Sequence, residues 1–187
     1  MEQKAVIPAG NNWVKKSIRD FNGSPVKRIA DEWMLITAGN IKTSPGNWNT
    51  MTASWGGFGV LWKKDVVFTF IRPVRHTRIF ADANELFTLS FFDNKYHDAL
   101  DFCGKNSGRD FDKAAETSLT PIVFENSLTE GGVIGFEEAS DIVICRKIYT
   151  HDIDPEKFLD SETETNYPQK DYHRMYIGEV ISLLQKI

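Results

Sequence analysis

The most informative segment of the sequence is Asn49-Thr-Met-Thr-Ala-Ser-Trp-Gly-Gly57. Hydroxyl side chains alternate with small or apolar residues from Thr50 to Ser54, and this period of two predicts a β-strand. The two glycines that follow allow the backbone to approach a ligand closely. An extended backbone here would direct amides and hydroxyl groups at a planar polar molecule, on which Trp55 could stack. The alternative is an ordinary strand with a glycine bulge.

A second informative stretch is Phe70-Ile-Arg-Pro-Val-Arg-His-Thr77, which places basic residues at the start of a short predicted helix. The helix follows Pro73, and Thr77 is predicted to be its N-cap. Free backbone amides, the positive end of the helix dipole and the guanidinium groups of Arg72 and Arg75 would together favour a phosphate group. The alternative is a solvated basic turn that pairs with nearby aspartates.

Segments rich in β-branched and aromatic residues predict further strands, because such side chains suit a pleated, half-buried surface. With short helices inserted between the strands, this pattern predicts a mainly β protein, a β-barrel with short helices. The predicted strands are Trp33–Ala38, Thr50–Ser54, Val66–Ile71, Leu86–Phe92, Pro121–Phe124, Val133–Phe136, Asp141–Tyr149 and Tyr172–Leu184.

Two more helices are predicted in the second half of the chain. Apolar residues recur at i, i+3, i+4 and i+7 over Lys95–Cys103, which predicts an amphipathic helix that ends at Asn106–Gly108. Arg109–Glu116 is predicted as a shorter helix. The polar stretch 152–171 is predicted to be a solvated loop insertion with one helical turn at Glu156–Leu159.

Composition limits the classes of protein that the chain can represent. The 187 residues are 41% hydrophobic and carry 22 Lys and Arg against 26 Asp and Glu, a net charge of −4. This predicts a single globular domain over 1–187, with neither nucleic acid nor a membrane surface as a partner. The start of the chain lacks the apolar core of a secretory signal, and no window is apolar enough for a membrane span, so we expect a cytoplasmic protein.

Several kinds of catalytic site are not supported by the sequence. Cys103 and Cys145 have no metal-ligand spacing and are interpreted as buried thiols, and the four histidines show no ligand motif, so no metal is expected. His173 is interpreted as a surface or core histidine, with contact to a ligand as the other possibility. A nucleophile elbow and a dinucleotide-binding glycine fingerprint are absent from the sequence.

The order and spacing of these motifs resemble those of the flavin reductase-like proteins, in particular the branch that includes flavoredoxin. The resemblance extends over about residues 33 to 184, and the joint occurrence of several spaced motifs is more specific than any one of them. The motifs are Asn49-x-Met-Thr-Ala-Ser-Trp-Gly, Phe70-Ile-Arg-Pro-x-Arg-x-Thr, Phe87-Thr-Leu-Ser-Phe, Ala99-Leu-x-Phe-Cys-Gly-x-x-Ser-Gly-Arg-Asp-x-Asp-Lys113 and His173-Arg-Met-Tyr-Ile-Gly-Glu179.

The resemblance implies an FMN-binding split barrel that forms a homodimer with FMN at the subunit interface. It assigns Met51, Thr52, Ala53 and Ser54 to the isoalloxazine ring and Asn49 and Trp55 to the ribityl side. It assigns Arg72, Arg75 and Thr77 to the phosphate, and Phe91, Ser107, Gly108 and Arg109 to the groove wall.

The implied activity is that of a flavin reductase or NAD(P)H-dependent oxidoreductase, with hydride passing from NADH or NADPH to FMN. The cofactor would carry the chemistry, so no side chain is predicted to be catalytic. A small molecule or a protein would accept the electrons. The alternative is a non-catalytic FMN-binding electron carrier or flavin-storage protein.

Overall fold

The computed structural model describes residues 5–6, 12–40, 47–126 and 129–187. Its strands are β1 (Ala5–Val6), β2 (Trp13–Lys16), β3 (Met34–Gly39), β4 (Trp48–Ala53), β5 (Gly56–Leu61), β6 (Lys64–Ile71), β7 (Leu86–Phe91), β8 (Pro121–Asn126), β9 (Thr129–Phe136), β10 (Asp141–Asp152) and β11 (Arg174–Lys186). Its α-helices are α1 (Pro25–Ala30), α2 (Thr77–Ala83), α3 (His97–Lys105) and α4 (Lys113–Thr117). The predicted loop before Asn47 falls largely on 41–46, outside the described residues.

The main sheet has the strand order β4-β3-β7-β10-β11-β6-β5, and β2 pairs with β11 outside this path. Neighbouring strands are antiparallel. The two strands at the ends of this path, β4 and β5, are joined by only Ser54 and Trp55. Because two residues cannot bridge the width of a flat seven-stranded sheet, the sheet curls until its edges meet at this corner. The expected barrel with short helices is confirmed.

Both faces of β3 are buried, which explains why most of its residues are apolar. Met34 and Ile36 point into the barrel interior, where they join Leu89 and other strand residues in one cluster. Leu35 points outward into a second cluster with Leu100 of α3. The side chains alternate between two apolar environments, so a short continuous apolar run serves as a strand here.

The amphipathic helix is confirmed, although it is displaced along the chain. A single 3-10 turn at Asn94–Tyr96 precedes α3. Leu100 and Cys103 are the buried residues of α3. The helix ends at Asn106 as expected, where the Asn106 N–H donates to the carbonyl of Phe102. None of the helices within the described ranges is long and apolar enough to cross a membrane.

The helix predicted over Arg109–Glu116 begins later than expected, at Lys113. The Asp112 side chain caps it by accepting a hydrogen bond from the Ala115 N–H at 3.2 Å. An aspartate that can satisfy an otherwise unpaired amide sets the start of a short helix more strongly than the propensity of the preceding residues.

The N-cap assigned to the helix after Pro73 is wrong by one residue. His76 occupies the cap without a side-chain hydrogen bond, and Thr77 is the first helical residue. Thr77 is fully buried, and its Oγ1 accepts a hydrogen bond from Asn49 Nδ2 at 2.8 Å. Because the buried Asn49 amide needs an acceptor, the Thr77 hydroxyl accepts its hydrogen bond and does not cap the helix.

The stretch 152–171 is only partly the solvated loop that the sequence predicts. A 3-10 turn at Pro155–Lys157 overlaps the helical turn predicted at Glu156–Leu159, and a second 3-10 turn follows at Ser161–Asn166. Its later part packs against the barrel, because Tyr167 is buried and Asp171 forms an ion pair with Arg72. The later part of the insertion therefore contacts the barrel through Arg72 and His173.

Candidate functional site at the corner between two strands

A crevice of about 180 Å³ lies where β4 passes into β5. We call it the corner crevice. It brings together the predicted stretch 51–55 with both predicted arginines. It also includes His173, for which ligand contact was the second possibility, and Phe70, which the sequence does not single out as a ligand. Its lining residues are Met51, Thr52, Ala53, Ser54, Trp55, Phe70, Arg72, Arg75 and His173.

A second crevice of about 230 Å³ adjoins the corner crevice on the side of α3. The two crevices share Thr52, Ser54 and Arg75, and Trp33 and Lys105 line the far side of the second one. Together they reach the lower part of the size range of small-molecule pockets, about 300–1,000 Å³. We call this second space the helix-side crevice.

The hydroxyl groups of β4 are less available to a ligand than the period-two pattern suggests. Thr50 is fully buried, and its Oγ1 lies 2.8 Å from the Oγ1 of Thr37. Thr52 Oγ1 donates to the carbonyl of Leu100 in α3. Thr52 and Ser54 are both half-buried and line both crevices, and Ser54, which directly follows the strand, has no such bond to α3. The strand thus uses its first two hydroxyls for packing.

The two predicted phosphate-binding arginines are in different states. Arg72 Nη1 donates to both carboxylate oxygens of Asp171, at 3.1 and 2.9 Å, and its Nη2 donates to the carbonyl of Asn166. Arg75 makes one side-chain hydrogen bond among the described residues, from Nη1 to the carbonyl of Gly104. Since a guanidinium has five N–H donors, Arg75 retains the greater capacity for a ligand.

Electrostatics around Arg75 favour the arrival of an anion. Its pKa is lowered by burial first and by the charge of Arg72 second, and Asp171 offsets part of this effect. A half-buried guanidinium beside a second one is stabilised by any negative charge placed next to it. Arg75 is therefore the residue that can best hold an anionic group in the corner crevice.

The backbone amides at the start of α2 are mostly unavailable to a phosphate. The N–H of Arg75 donates to the carbonyl of Arg72, that of Arg78 to Arg75, and that of Ile79 to His76. Fewer free amides are therefore available at this helix start than the sequence predicts. An anion here would be held mainly by side chains.

Three other predicted site residues lie around a separate crevice of about 310 Å³ at the beginning of β4. Asn49, Gly108 and Arg109 line it together with Lys113. Ser107 does not line it, and its hydroxyl accepts a hydrogen bond from the Arg109 N–H at 3.2 Å. The sequence places these residues near the ligand, whereas the structure brings them together away from the corner crevice.

Phe91 does not line the groove, and this assignment is corrected. Its side chain is fully buried in the barrel interior. Its ring centroid lies 5.1 Å from that of Phe21 and 6.2 Å from that of Phe58. The side chain points inward because its position in β7 has the parity of Leu89, which belongs to the same cluster. Thr77, likewise fully buried, has no exposed side chain to offer a phosphate.

Lys113 is a buried cation that the sequence does not single out. Its Nζ donates to the carbonyls of Thr50 at 2.9 Å and Cys103 at 2.7 Å, so it links β4 to α3. Burial lowers its pKa to about 8, with a further contribution from Arg75 and an opposing one from Cys103. No periodic pattern in the sequence points to a buried lysine here, because Lys113 begins a short helix in a polar segment.

This ammonium group predicts a pH dependence of stability. Between about pH 8 and the ordinary lysine value of 10.5, the unfolded chain holds a proton that the folded protein has lost. The contribution of Lys113 to the free energy of unfolding should therefore rise with pH through this window. We expect the difference in unfolding free energy, wild type minus Lys113→Met, to increase from pH 8 to pH 10.5 in urea titrations. A difference independent of pH would contradict the lowered pKa.

His173 is both a core histidine and a wall of the corner crevice. It is 7% exposed, and its Nδ1 lies 2.9 Å from the hydroxyl oxygen of Tyr167. Its ring centroid is 4.8 Å from that of Trp55. Burial, followed by the charge of Arg72, lowers its pKa to about 4, so the imidazole is neutral near pH 7.

No family model matches the chain, and no curated protein matches it. Solved structures do. A flavoredoxin from Methanosarcina acetivorans is 19% identical with a TM-score of 0.60, and the match covers 81% of this chain and 67% of that one. An FMN-binding domain of a flavin reductases-like enzyme from Shewanella baltica is 15% identical with a TM-score of 0.63, covering 94% and 78%.

A third similar structure is an NADH:FAD oxidoreductase from Streptomyces globisporus, 15% identical with a TM-score of 0.57, which covers 83% of this chain and 80% of that one. Another similar structure, from Shewanella frigidimarina, has a split barrel domain, and the Shewanella baltica neighbour and one from Thermus thermophilus are FMN-binding. This chain has the split-barrel fold. At these identities the likeness establishes the fold alone, and it confirms the architecture that the sequence motifs implied. In this split barrel, the corner crevice lies at the opening between β4 and β5, the two end strands of the curled sheet.

Proposed function

We propose that this split barrel binds FMN in the corner crevice and acts as a flavin reductase or NAD(P)H-dependent oxidoreductase. The observation that carries the proposal is the half-buried Arg75, which faces the β4 corner with unused donors. Its lowered pKa and its neighbour Arg72 make a phosphate monoester a stabilising ligand. The flavin-binding neighbours of the same fold support the choice of FMN.

The shape of the site suits an elongated ligand with a planar head. The phosphate would lie at Arg75, and the ring system would lie along Met51 to Ser54. Because β4 is at the edge of the main sheet, its outward backbone groups are not used by a neighbouring strand. Trp55 is 42% exposed and offers a ring face for stacking. The stretch Met51 to Ser54 is the one that the resemblance assigns to the isoalloxazine, and it assigns Trp55 to the ribityl side.

When bound, FMN would supply the capacity to accept a hydride from NADH or NADPH. The chain contributes binding and orientation: Arg75 holds the phosphate, and the edge amides of β4 position the ring. His173 and Phe70 limit the access of water on the opposite wall. In this proposal no side chain acts as a strong acid or base.

A non-catalytic FMN carrier or storage protein is the second candidate, and the flavoredoxins among the structural neighbours favour it. The two functions differ in one measurement. Purified protein with FMN that oxidises NADH or NADPH and reduces an acceptor is an enzyme. Tight flavin binding without such oxidation identifies the carrier.

We also propose that the protein works as a homodimer. The corner crevice opens to the surface beside the exposed Trp55 and so leaves one side of a flavin uncovered. A second copy of the chain would cover that side and exclude water from the ring. Sedimentation that finds only monomer at full FMN occupancy would overturn this part of the proposal.

Arg75→Ala should weaken FMN binding by about 1 to 3 kcal/mol, or roughly 5- to 150-fold in Kd, because a charged hydrogen bond to the phosphate is lost. The measurement is a fluorescence titration of the apoprotein with FMN, after circular dichroism has verified the fold. Arg19→Ala is the matched control, since Arg19 is exposed and pairs with Asp65 away from the crevice. If both variants bind as the wild type does, the phosphate is held elsewhere.

A further inference from the structure

The insertion 152–171 contributes one buried side chain that touches a wall residue of the corner crevice. Tyr167 is 4% exposed, and its hydroxyl oxygen lies 2.9 Å from Nδ1 of His173. The two rings meet edge to face, with centroids 5.5 Å apart. His173 in turn packs against Trp55 and lines the crevice. The insertion thus acts on the corner crevice indirectly, through the imidazole of His173.

The chemistry of the two groups determines the direction of this hydrogen bond. A neutral imidazole carries one N–H donor and one acceptor nitrogen. Burial raises the pKa of Tyr167, so the phenol keeps its proton. Among the described residues, His173 Nδ1 is the hydrogen-bond partner of that hydroxyl. A buried hydroxyl that accepted a hydrogen bond from Nδ1–H would need a second partner for its own hydrogen, so donation from Tyr167 to Nδ1 is favoured.

We infer that Tyr167 fixes His173 in the tautomer protonated at Nε2, so that the crevice wall presents a neutral N–H donor suited to a carbonyl oxygen of a planar ligand. Tyr167 is then a positioning residue, which acts on the ligand only through His173. The role toward a ligand rests on the proposed function, whereas the tautomer itself does not.

The charges around His173 support a neutral donor at this point. Arg72 and Arg75 both oppose protonation of the ring, and Asp171 favours it. Asp171 is bound to Arg72, and the Arg72 guanidinium carbon lies 5.2 Å from the centre of the Tyr167 ring. An imidazolium would be a third cation in this cluster. The same insertion therefore occupies Arg72 and sets the hydrogen-bonding state of His173.

The test of the tautomer uses nitrogen-15 NMR of the histidine ring in the full-length apoprotein at pH 7. The wild type should give the signature of a ring protonated at Nε2. Tyr167→Phe should give a mixture of the two tautomers. Tyr172→Phe is the matched control, because its ring neighbours that of Tyr167 while its hydroxyl bonds to Glu164 at the surface. We expect the control to keep the wild-type signature.

A wild-type ring protonated at Nδ1, or a tautomer that does not change in Tyr167→Phe, would overturn the inference. The wild-type spectrum decides the first point even if the variant fails to fold.

The role toward the ligand is tested with FMN itself. His173→Leu should raise the Kd for FMN about 2- to 10-fold, the effect of one neutral hydrogen bond, and His173→Gln should restore most of it because the amide keeps an N–H donor. Equal losses in both variants would reject the donor role. If the wild type binds no FMN at all, the proposed function fails, while the NMR result still decides the tautomer.

Discussion

Phe91→Ala should lower the free energy of unfolding by about 3 to 5 kcal/mol, the largest effect expected from a single side chain described above. Phe91 is fully buried in the barrel interior. Its ring contacts Phe21 and Phe58 edge-on, and the Arg28 guanidinium carbon lies 5.4 Å from its centre. Truncation would leave a cavity that strands on several sides cannot fill by collapse. Urea denaturation followed by fluorescence measures the change.

The control for this prediction is Phe111→Ala. Phe111 is 42% exposed, and its ring contacts Phe102 at 5.7 Å, so its loss should cost less than about 1 kcal/mol. Flavin affinity of folded Phe91→Ala should stay close to that of the wild type, since the residue lies outside the corner crevice. A variant that keeps its stability and loses FMN binding would restore Phe91 to the groove wall.

Gly108→Ala is expected to cost about 2 to 4 kcal/mol of stability, from an overpacking cost of about 1–3 and a lost buried hydrogen bond of about 1. A Cβ at this position would lie 2.0 Å from Asn49 Oδ1 and 2.6 Å from its Cγ. The Asn49 side chain is buried and donates to Thr77, so it cannot move aside without losing that bond. Thermal and urea unfolding give the cost.

A double-mutant cycle tests the cause of this effect. Asn49→Ala removes the amide that the new Cβ would strike, so Gly108→Ala should cost much less in that background than in the wild type. The two changes are in direct contact, and non-additivity is expected. Additive costs would mean that the strain of Gly108→Ala lies somewhere other than in the contact with Asn49.

Much of the architecture is predictable from local patterns, because burial follows the period of each element. Leu86–Phe91 is rich in β-branched and aromatic residues and forms a buried strand. The stripe over Lys95–Cys103 gives α3. The Gly56–Leu61 strand escapes prediction, since its glycines have no side chains to form an alternating pattern. Its partner β6 determines its structure through the hairpin between them.

The site was predictable in part. The stretch 51–55 and the two arginines come together because β4 ends at the corner where β6 also ends, and this follows from the topology of the split barrel. The pairing of Arg72 with Asp171 was not predictable, since the partners are far apart in sequence and the insertion has no periodic signal. The binding roles of these residues stay predictions that the Arg75→Ala titration tests.

The strand-rich architecture and the segment that forms the corner follow from the alternation of side chains and the order of motifs, because these are local properties of the chain. Which polar groups are already paired, in contrast, depends on the tertiary structure. Thr77 Oγ1 is hydrogen-bonded to Asn49, Arg72 to Asp171, and Nδ1 of His173 to Tyr167. Arg75, in contrast, retains unused donors. Pairing depends on distances between residues remote in the chain, and a buried polar group takes whichever partner the fold brings within reach.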